Sequence, residues 1–190
     1  MVGPEDDDLI RHIAAVADPL PIPITVADPA AADAPLIYVN DAFSDLTGFA
    51  WQDAVGRNCR FLQGKDTQPS AVDEIRRAIA EKVQSVECLL NYRHDGSSFH
   101  NLIYIDALWT GGGRALLLGC QQQVDDDLAP EFVQAYQDRM SATKAKLALQ
   151  LNADADAHMQ AFRISGDTVR QLVGQYFAGM SSEGVGDRAV

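Results

Sequence analysis

Residues 85–124 read SVECLLNYRHDGSSFHNLIYIDALWTGGGRALLLGCQQQV. Three runs that read as strands, about 85–93, 98–109 and 114–124, are separated by HDGS (94–97) and TGGG (110–113). Both punctuations are hairpin chemistry, because glycine and its Asp or Thr neighbours take the backbone angles a tight turn requires. The segment therefore predicts a three-strand antiparallel meander. Side chains alternate across a strand, so Asn91, Asn101, Ile103, Leu117, Gly119 and Gln121 fall on one face. Leu90, Tyr92, Leu102, Tyr104, Leu116, Leu118 and Cys120 fall on the other. A sheet with one solvated face is polar there, whereas this one is apolar on both, and flanking helices are the candidates to cover the second.

Upstream, Pro69 to Val83 predicts a helix with proline at an early position and Val72, Ile75, Ile79 and Val83 along one side. Residues 41–62 read as short helical pieces punctuated by Gly48 and Gly56. ITVAD (24–28) and LIYVN (36–40) read as two strands around the Pro/Ala/Asp loop 29–35. PLPIP (19–23) ends a short helix over 5–17, whose acidic start suits a helix N-terminus. Two strands, a helical crossing and a meander give an α+β fold: a five-stranded antiparallel sheet with helices on one side. The predicted division is an N-terminal helical cap (1–21), a core (22–124) and a C-terminal helical extension (125–190) with no separate effector domain. In the extension, Phe132, Tyr136, Met140, Leu147 and Leu151 form one helical stripe. A second helix is expected over Thr168–Met180, capped by Asp167.

Composition narrows the function. The 190 residues carry a net charge of -12, and a surface so acidic repels nucleic acid and anionic lipid unless a local basic patch intervenes. Residues 125–190 hold ten Asp/Glu against six Lys/Arg, which argues against an appended DNA-binding module. No apolar run approaches the roughly 20 residues that span a bilayer, and the acidic start is unlike a secretory signal. The expectation is a cytoplasmic protein that binds neither membrane nor nucleic acid. The three cysteines, Cys59, Cys88 and Cys120, lack CxxC spacing, and the four histidines lack HxxxH spacing. No metal site is expected.

The chemistry concentrates in Gly56-Arg57-Asn58-Cys59-Arg60-Phe61-Leu62-Gln63. This octapeptide resembles, without a break, the GxNCRFLQ signature of the light-oxygen-voltage (LOV) family, a light-sensing branch of the PAS fold. Arg76, Asn91, Asn101 and Gln121 follow in the family's order, and the resemblance covers about residues 22–124. It implies a flavin pocket enclosed by the sheet and helices. Asn91, Asn101 and Gln121 offer donors and acceptors to the polar edge of such a ring. Ile103, Leu117 and Leu62 offer apolar surface to its faces. Asn58 and Gln63 flank the cysteine within the motif. Arg60 and Arg76 suit a phosphate, although Arg76 also fits a solvated helix arginine. The short segment 63–69 leaves little room for an adenosine, which favours FMN over FAD, and FMN is expected ahead of riboflavin as well.

The resemblance also implies a function. Blue light would drive the Cys59 sulfur onto flavin carbon C4a while N5 gains a proton, and the bond would reopen in the dark. Gln121 could answer the change at N5 by rotating its amide, and its strand leads to the C-terminal helices. The chain departs from the family at His100, where many members carry tryptophan, and at Leu117, where phenylalanine is common. The expected output is a light-dependent homodimer bundled through the helical extensions, the alternative being helices folded back on their own sheet. Other readings are a sensor acting on a separate kinase or transcription factor, or a redox flavoprotein. The last lacks a nicotinamide-binding GxGxxG, since GGG at 111–113 sits in a hairpin, and a non-enzymatic sensor is expected.

Overall fold

The computed structural model describes residues 4–110, 113–125, 128 and 130–152. The expected second C-terminal helix, Thr168–Met180, lies outside the described residues. The elements are α1 (Pro4–Ala17), β1 (Ile24–Ala27), β2 (Leu36–Val39), α2 (Asp41–Thr47), α3 (Trp51–Ala54), a 3-10 turn (Cys59–Leu62), α4 (Pro69–Glu81), β3 (Ser85–Tyr92), β4 (Ser98–Trp109) and β5 (Ala115–Val124). Residues 130–152 add a further helix, α5. The five strands form one antiparallel sheet in the order β2-β1-β5-β4-β3, so the expected α+β sheet is the one observed.

The meander keeps the predicted alternation. In its register Ile103 faces Gln121, Ile105 faces Gly119 and Ala107 faces Leu117. Asn91 and Asn101 lie diagonally across β3 and β4. The opposite face carries Leu102, Tyr104, Leu116, Leu118 and Cys120 into the main core, joined by Ile13 and Ala17 of α1 and by Tyr136, Met140, Leu147 and Leu151 of α5. Each large apolar side chain buried there contributes roughly 2 kcal/mol. This α5 stripe therefore packs on its own sheet, the alternative that the sequence left open beside a two-chain bundle. Phe132 departs from the stripe at 41% exposure, and Thr143 fills the buried place between Met140 and Leu147.

Polar groups fix how α5 sits. The buried Tyr136 hydroxyl donates toward the carbonyls of Leu102 (3.1 Å) and Cys120 (2.8 Å). Lys144 Nζ lies 2.5 Å from Asp106 Oδ2, and Tyr104 donates to the same oxygen at 2.9 Å. At the other edge, Asn40 ties three elements together. Its Oδ1 accepts from Ile24 N and caps α2 through Phe43 N, while its Nδ2 donates to the carbonyls of Ala17 and Ile22. A buried amide with every group paired defines one geometry.

Two apolar positions depart from expectation for local reasons. α4 ends at Glu81 because Lys82 adopts a left-handed conformation (φ 57), so Val83 leaves the helical face and is 50% exposed. Tyr92 alternates outward but reaches round the β3 edge. Its hydroxyl donates to Asp66 Oδ2 (2.9 Å) and accepts from Asp66 N (3.3 Å).

Candidate functional site

The pocket-side face of the sheet, the 3-10 turn and α4 enclose a cavity of about 410 Å3, within the range of small-molecule sites. Cys59, Asn58, Arg60, Gln63, Arg76, Asn91, Ile103, Leu117 and Gln121 all line it. Two expected residues do not. Leu62 turns away into a second apolar cluster with Leu36, Val39, Phe43 and Ala54, so its contribution is to anchor the turn that carries Cys59. Asn101 is fully buried and donates from Nδ2 to Asn91 Oδ1 at 3.0 Å.

Sequence reasoning missed Thr25, Leu89 and Ile105 as part of the wall. Their signal was present, since Leu89 and Ile105 share the alternation of Asn91 and Ile103. Val72, Ile75 and Ile79, already legible as the apolar side of α4, form the facing wall.

The polar lining has an open valence. Gln121 Nε2 donates to Thr25 Oγ1 (3.1 Å), which donates to Gly119 O (3.4 Å). Among the described residues, two buried side-chain atoms have no hydrogen-bond partner, Asn101 Oδ1 and Gln121 Oε1. An unpaired buried acceptor costs about 1–3 kcal/mol; Gln121 lines the cavity, and Asn101 is the amide that donates to the cavity residue Asn91. A Cβ at Gly119 would stand 2.5 Å from Thr25 Oγ1 and 3.1 Å from Gln121 Nε2, so only glycine leaves room for this amide–hydroxyl pair. A flat heterocycle with a polar donor edge fits these residues.

Cys59 opens the 3-10 turn, whose first turn is capped by Asn58 Oδ1 accepting from Arg60 N (3.0 Å). Asn58 Nδ2 donates to the carbonyls of Asp33 (2.7 Å) and Ala34 (3.3 Å). Its amide is thus committed to the backbone, and its part in the site is to hold the cysteine turn against loop 28–35. The apolar surroundings of Cys59 push its thiol up to about 12, through desolvation of the thiolate. The group is a protonated thiol at neutral pH, a carrier of both sulfur and proton. Cys88 and Cys120 pack with the opposite face, away from the cavity.

The arginines mark the exposed end of the cavity. The Arg60 side chain is 56% exposed and its Nη1 lies 2.5 Å from Asp33 Oδ1. Arg76, 72% exposed, pairs with Asp73 on its own helix. Among the described residues there is no cluster able to hold a metal ion, and no helix is long and apolar enough to cross a membrane.

Comparison with known proteins agrees with this geometry. The PAS domain family matches residues 23–123. Over 129 residues the chain is 41% identical to blue-light-activated histidine kinase 1 of Erythrobacter litoralis, covering 67% of this chain and 34% of that protein. It is 41% identical over 101 residues to a blue-light photoreceptor of Listeria monocytogenes, covering 53% of this chain and 40% of the other. The solved LOV domain of an Erythrobacter litoralis blue-light-activated histidine kinase superposes with a TM-score of 0.53 at 40% identity, over 56% of this chain and 99% of that one. The chain thus spans between a third and two fifths of the length of these curated relatives. It belongs to the PAS domain family, and its core is a light-oxygen-voltage domain homologous to those of blue-light photoreceptors.

Proposed function

We propose that the chain senses blue light through flavin mononucleotide and a reversible bond to Cys59. The observation that carries this is the meeting, in one cavity, of a protonated thiol with the Asn91 and Gln121 amides, Gln121 Oε1 lacking a protein donor. When bound, the flavin supplies absorption of blue light and, in its excited state, a ring carbon that takes the thiol sulfur beside a ring nitrogen that takes a proton. The residues supply everything else. Burial keeps the Cys59 proton on sulfur, so both are delivered together. Asn91 and Asn101 orient the polar edge of the ring, and Ile103, Leu117 and α4 pack on its faces. Arg60, with Arg76, meets the phosphate.

Gln121 carries the signal. Its amide has one end on Thr25 and one without a protein partner. A hydroxyl both donates and accepts, so Thr25 serves either orientation of the amide, and rotation sacrifices little on the protein side. The carbonyl of the preceding residue, Cys120, accepts from Tyr136 of α5. A change at Gln121 therefore reaches the packing of α5 within two residues, a local polar event biasing a larger element.

Two outputs follow. One is a homodimer assembled through the helical extensions and altered by light, tested by light scattering on dark and lit protein. Identical masses and shapes in both states would contradict it. The other is control of a kinase effector, favoured by the similarity to the histidine kinase, and a light-dependent pull-down with such a kinase distinguishes it. Chromatography of the chromophore released by acid tests the cofactor: FMN is expected, and FAD or riboflavin contradicts the choice.

A further inference from the structure

The arginine best placed for a phosphate already holds an acid, and the acid is carefully presented. Asp33 comes from loop 28–35, which walls the cavity through Pro29 and Ala34. The loop is closed at its base by Asp28 N donating to Pro35 O (3.0 Å), and Arg114 pairs with Asp28 at 2.7 Å. At its tip Asp33 (φ 68) and Ala34 (φ 45) both adopt left-handed backbone, a conformation that costs roughly 1 kcal/mol or more in a non-glycine residue. Asn58 stabilises that tip by donating to the carbonyls of both residues. The loop is thus held through its backbone, and the Asp33 carboxylate is left to partner Arg60 Nη1 at 2.5 Å.

We propose that Asp33 is a built-in anion that occupies Arg60 in place of the ligand phosphate, and so sets how strongly the site distinguishes flavin mononucleotide from riboflavin. This rests on the flavin reading above. An arriving phosphate monoester bears about -1.5 to -2 charges and must share or displace the carboxylate. Arg60 then exchanges one ion pair for another, with the displaced carboxylate still tethered nearby. Phosphate recognition becomes a small difference between two pairs. Arg76 offers a contrast, because its partner Asp73 sits one turn away on the same exposed helix, outside the loop that walls the cavity.

The size of the effect follows from exposure. Arg60 and Asp33 are 56% and 66% exposed, and pairs at such sites are weak and screened. Neutralising Asp33 both frees Arg60 and removes a repelling charge, which together are worth roughly a five-fold gain for a phosphate-bearing ligand. A ligand without phosphate gains nothing.

The test is titration of the flavin-free 190-residue chain with FMN and with riboflavin, followed by quenching of flavin fluorescence, for wild type, Asp33→Asn, Arg60→Gln and the double variant. Asparagine is at ease in left-handed backbone, so Asp33→Asn keeps the loop, and riboflavin affinity reports whether the cavity is intact. The expected result is a FMN-to-riboflavin affinity ratio raised about five-fold by Asp33→Asn. Arg60→Gln should bring the ratio toward one, and Asp33→Asn should raise the ratio less in the Arg60→Gln background than in wild type. An unchanged or lower ratio in Asp33→Asn overturns the proposal, as does an equal rise in the Arg60→Gln background. Loss of riboflavin binding in Asp33→Asn overturns it too, because Asp33 would then be part of the wall. If neither flavin binds wild type, the functional reading itself falls.

Discussion

Replacing Tyr136 with phenylalanine removes one oxygen from the contact between α5 and the sheet. That hydroxyl is buried, with the residue 2% exposed, and lies 2.8 Å from Cys120 O and 3.1 Å from Leu102 O. It has a single proton, so the two distances describe one donor shared between acceptors. The loss is one hydrogen bond, about 1 kcal/mol. Both carbonyls belong to the paired strands β4 and β5, and the ring keeps its apolar contacts, so no large cavity or orphaned carbonyl adds to the cost. A change of that size multiplies the undocked population of α5 about five-fold. Hydrogen exchange of the α5 amides in darkness measures it, in wild type and Tyr136→Phe. The expected result is a rise in exchange of that order over residues 130–152, with the urea midpoint lowered to match. Unchanged α5 exchange with an unchanged midpoint would refute the assignment of this bond as the clamp.

Other expectations follow from the same geometry. Asn40→Ala leaves several buried backbone groups of α1, β1 and α2 without partners, and should cost about 3 kcal/mol in a urea melt. A loss below about 1 kcal/mol would show that water replaces the amide. Gln121→Leu removes an unsatisfied acceptor, so the flavin-free protein should hold or gain stability while flavin affinity falls. Raised stability together with undiminished affinity would remove Gln121 from the site. Burial holds the Cys59 thiol near 12 against an ordinary value of 9.0, and Cys120 behaves alike. The unfolded chain releases these protons first, so the stability of the flavin-free protein should be intact below about pH 9 and decline as pH rises toward 12. Stability rising over that interval would contradict the buried, protonated thiols.

Much of this fold was legible because the sheet signals are strong and local. HDGS and TGGG mark the hairpins, and strict alternation between them puts Asn91, Asn101 and Gln121 on one face. The octapeptide around Cys59 carries the family. What stayed hidden depends on contacts distant in sequence or on single-residue geometry. Leu62 leaves the cavity although its neighbours Arg60, Cys59 and Gln63 line it, since a four-residue 3-10 turn is too short to show a periodicity. Asn58 looked like a ligand residue, and its commitment to Asp33 and Ala34 spans 24 to 25 residues. Asn40 gave no sign of being the link between α1, β1 and α2, because a buried amide and a surface cap look identical in a sequence. The fate of the Tyr136 stripe was undecided for a similar reason. An amphipathic helix states that one face is covered, and only the sheet beside it states by what.

The photochemistry assigned to Cys59 is tested most directly by the absorption of the purified protein before and after a blue flash, with Cys59→Ala alongside. It predicts structured blue absorption that bleaches in wild type and recovers in the dark, and that persists without bleaching in Cys59→Ala. A flavin that fails to bleach in wild type, or bleaches equally without Cys59, would contradict the assigned photochemistry, and a protein that binds no flavin would contradict the site itself.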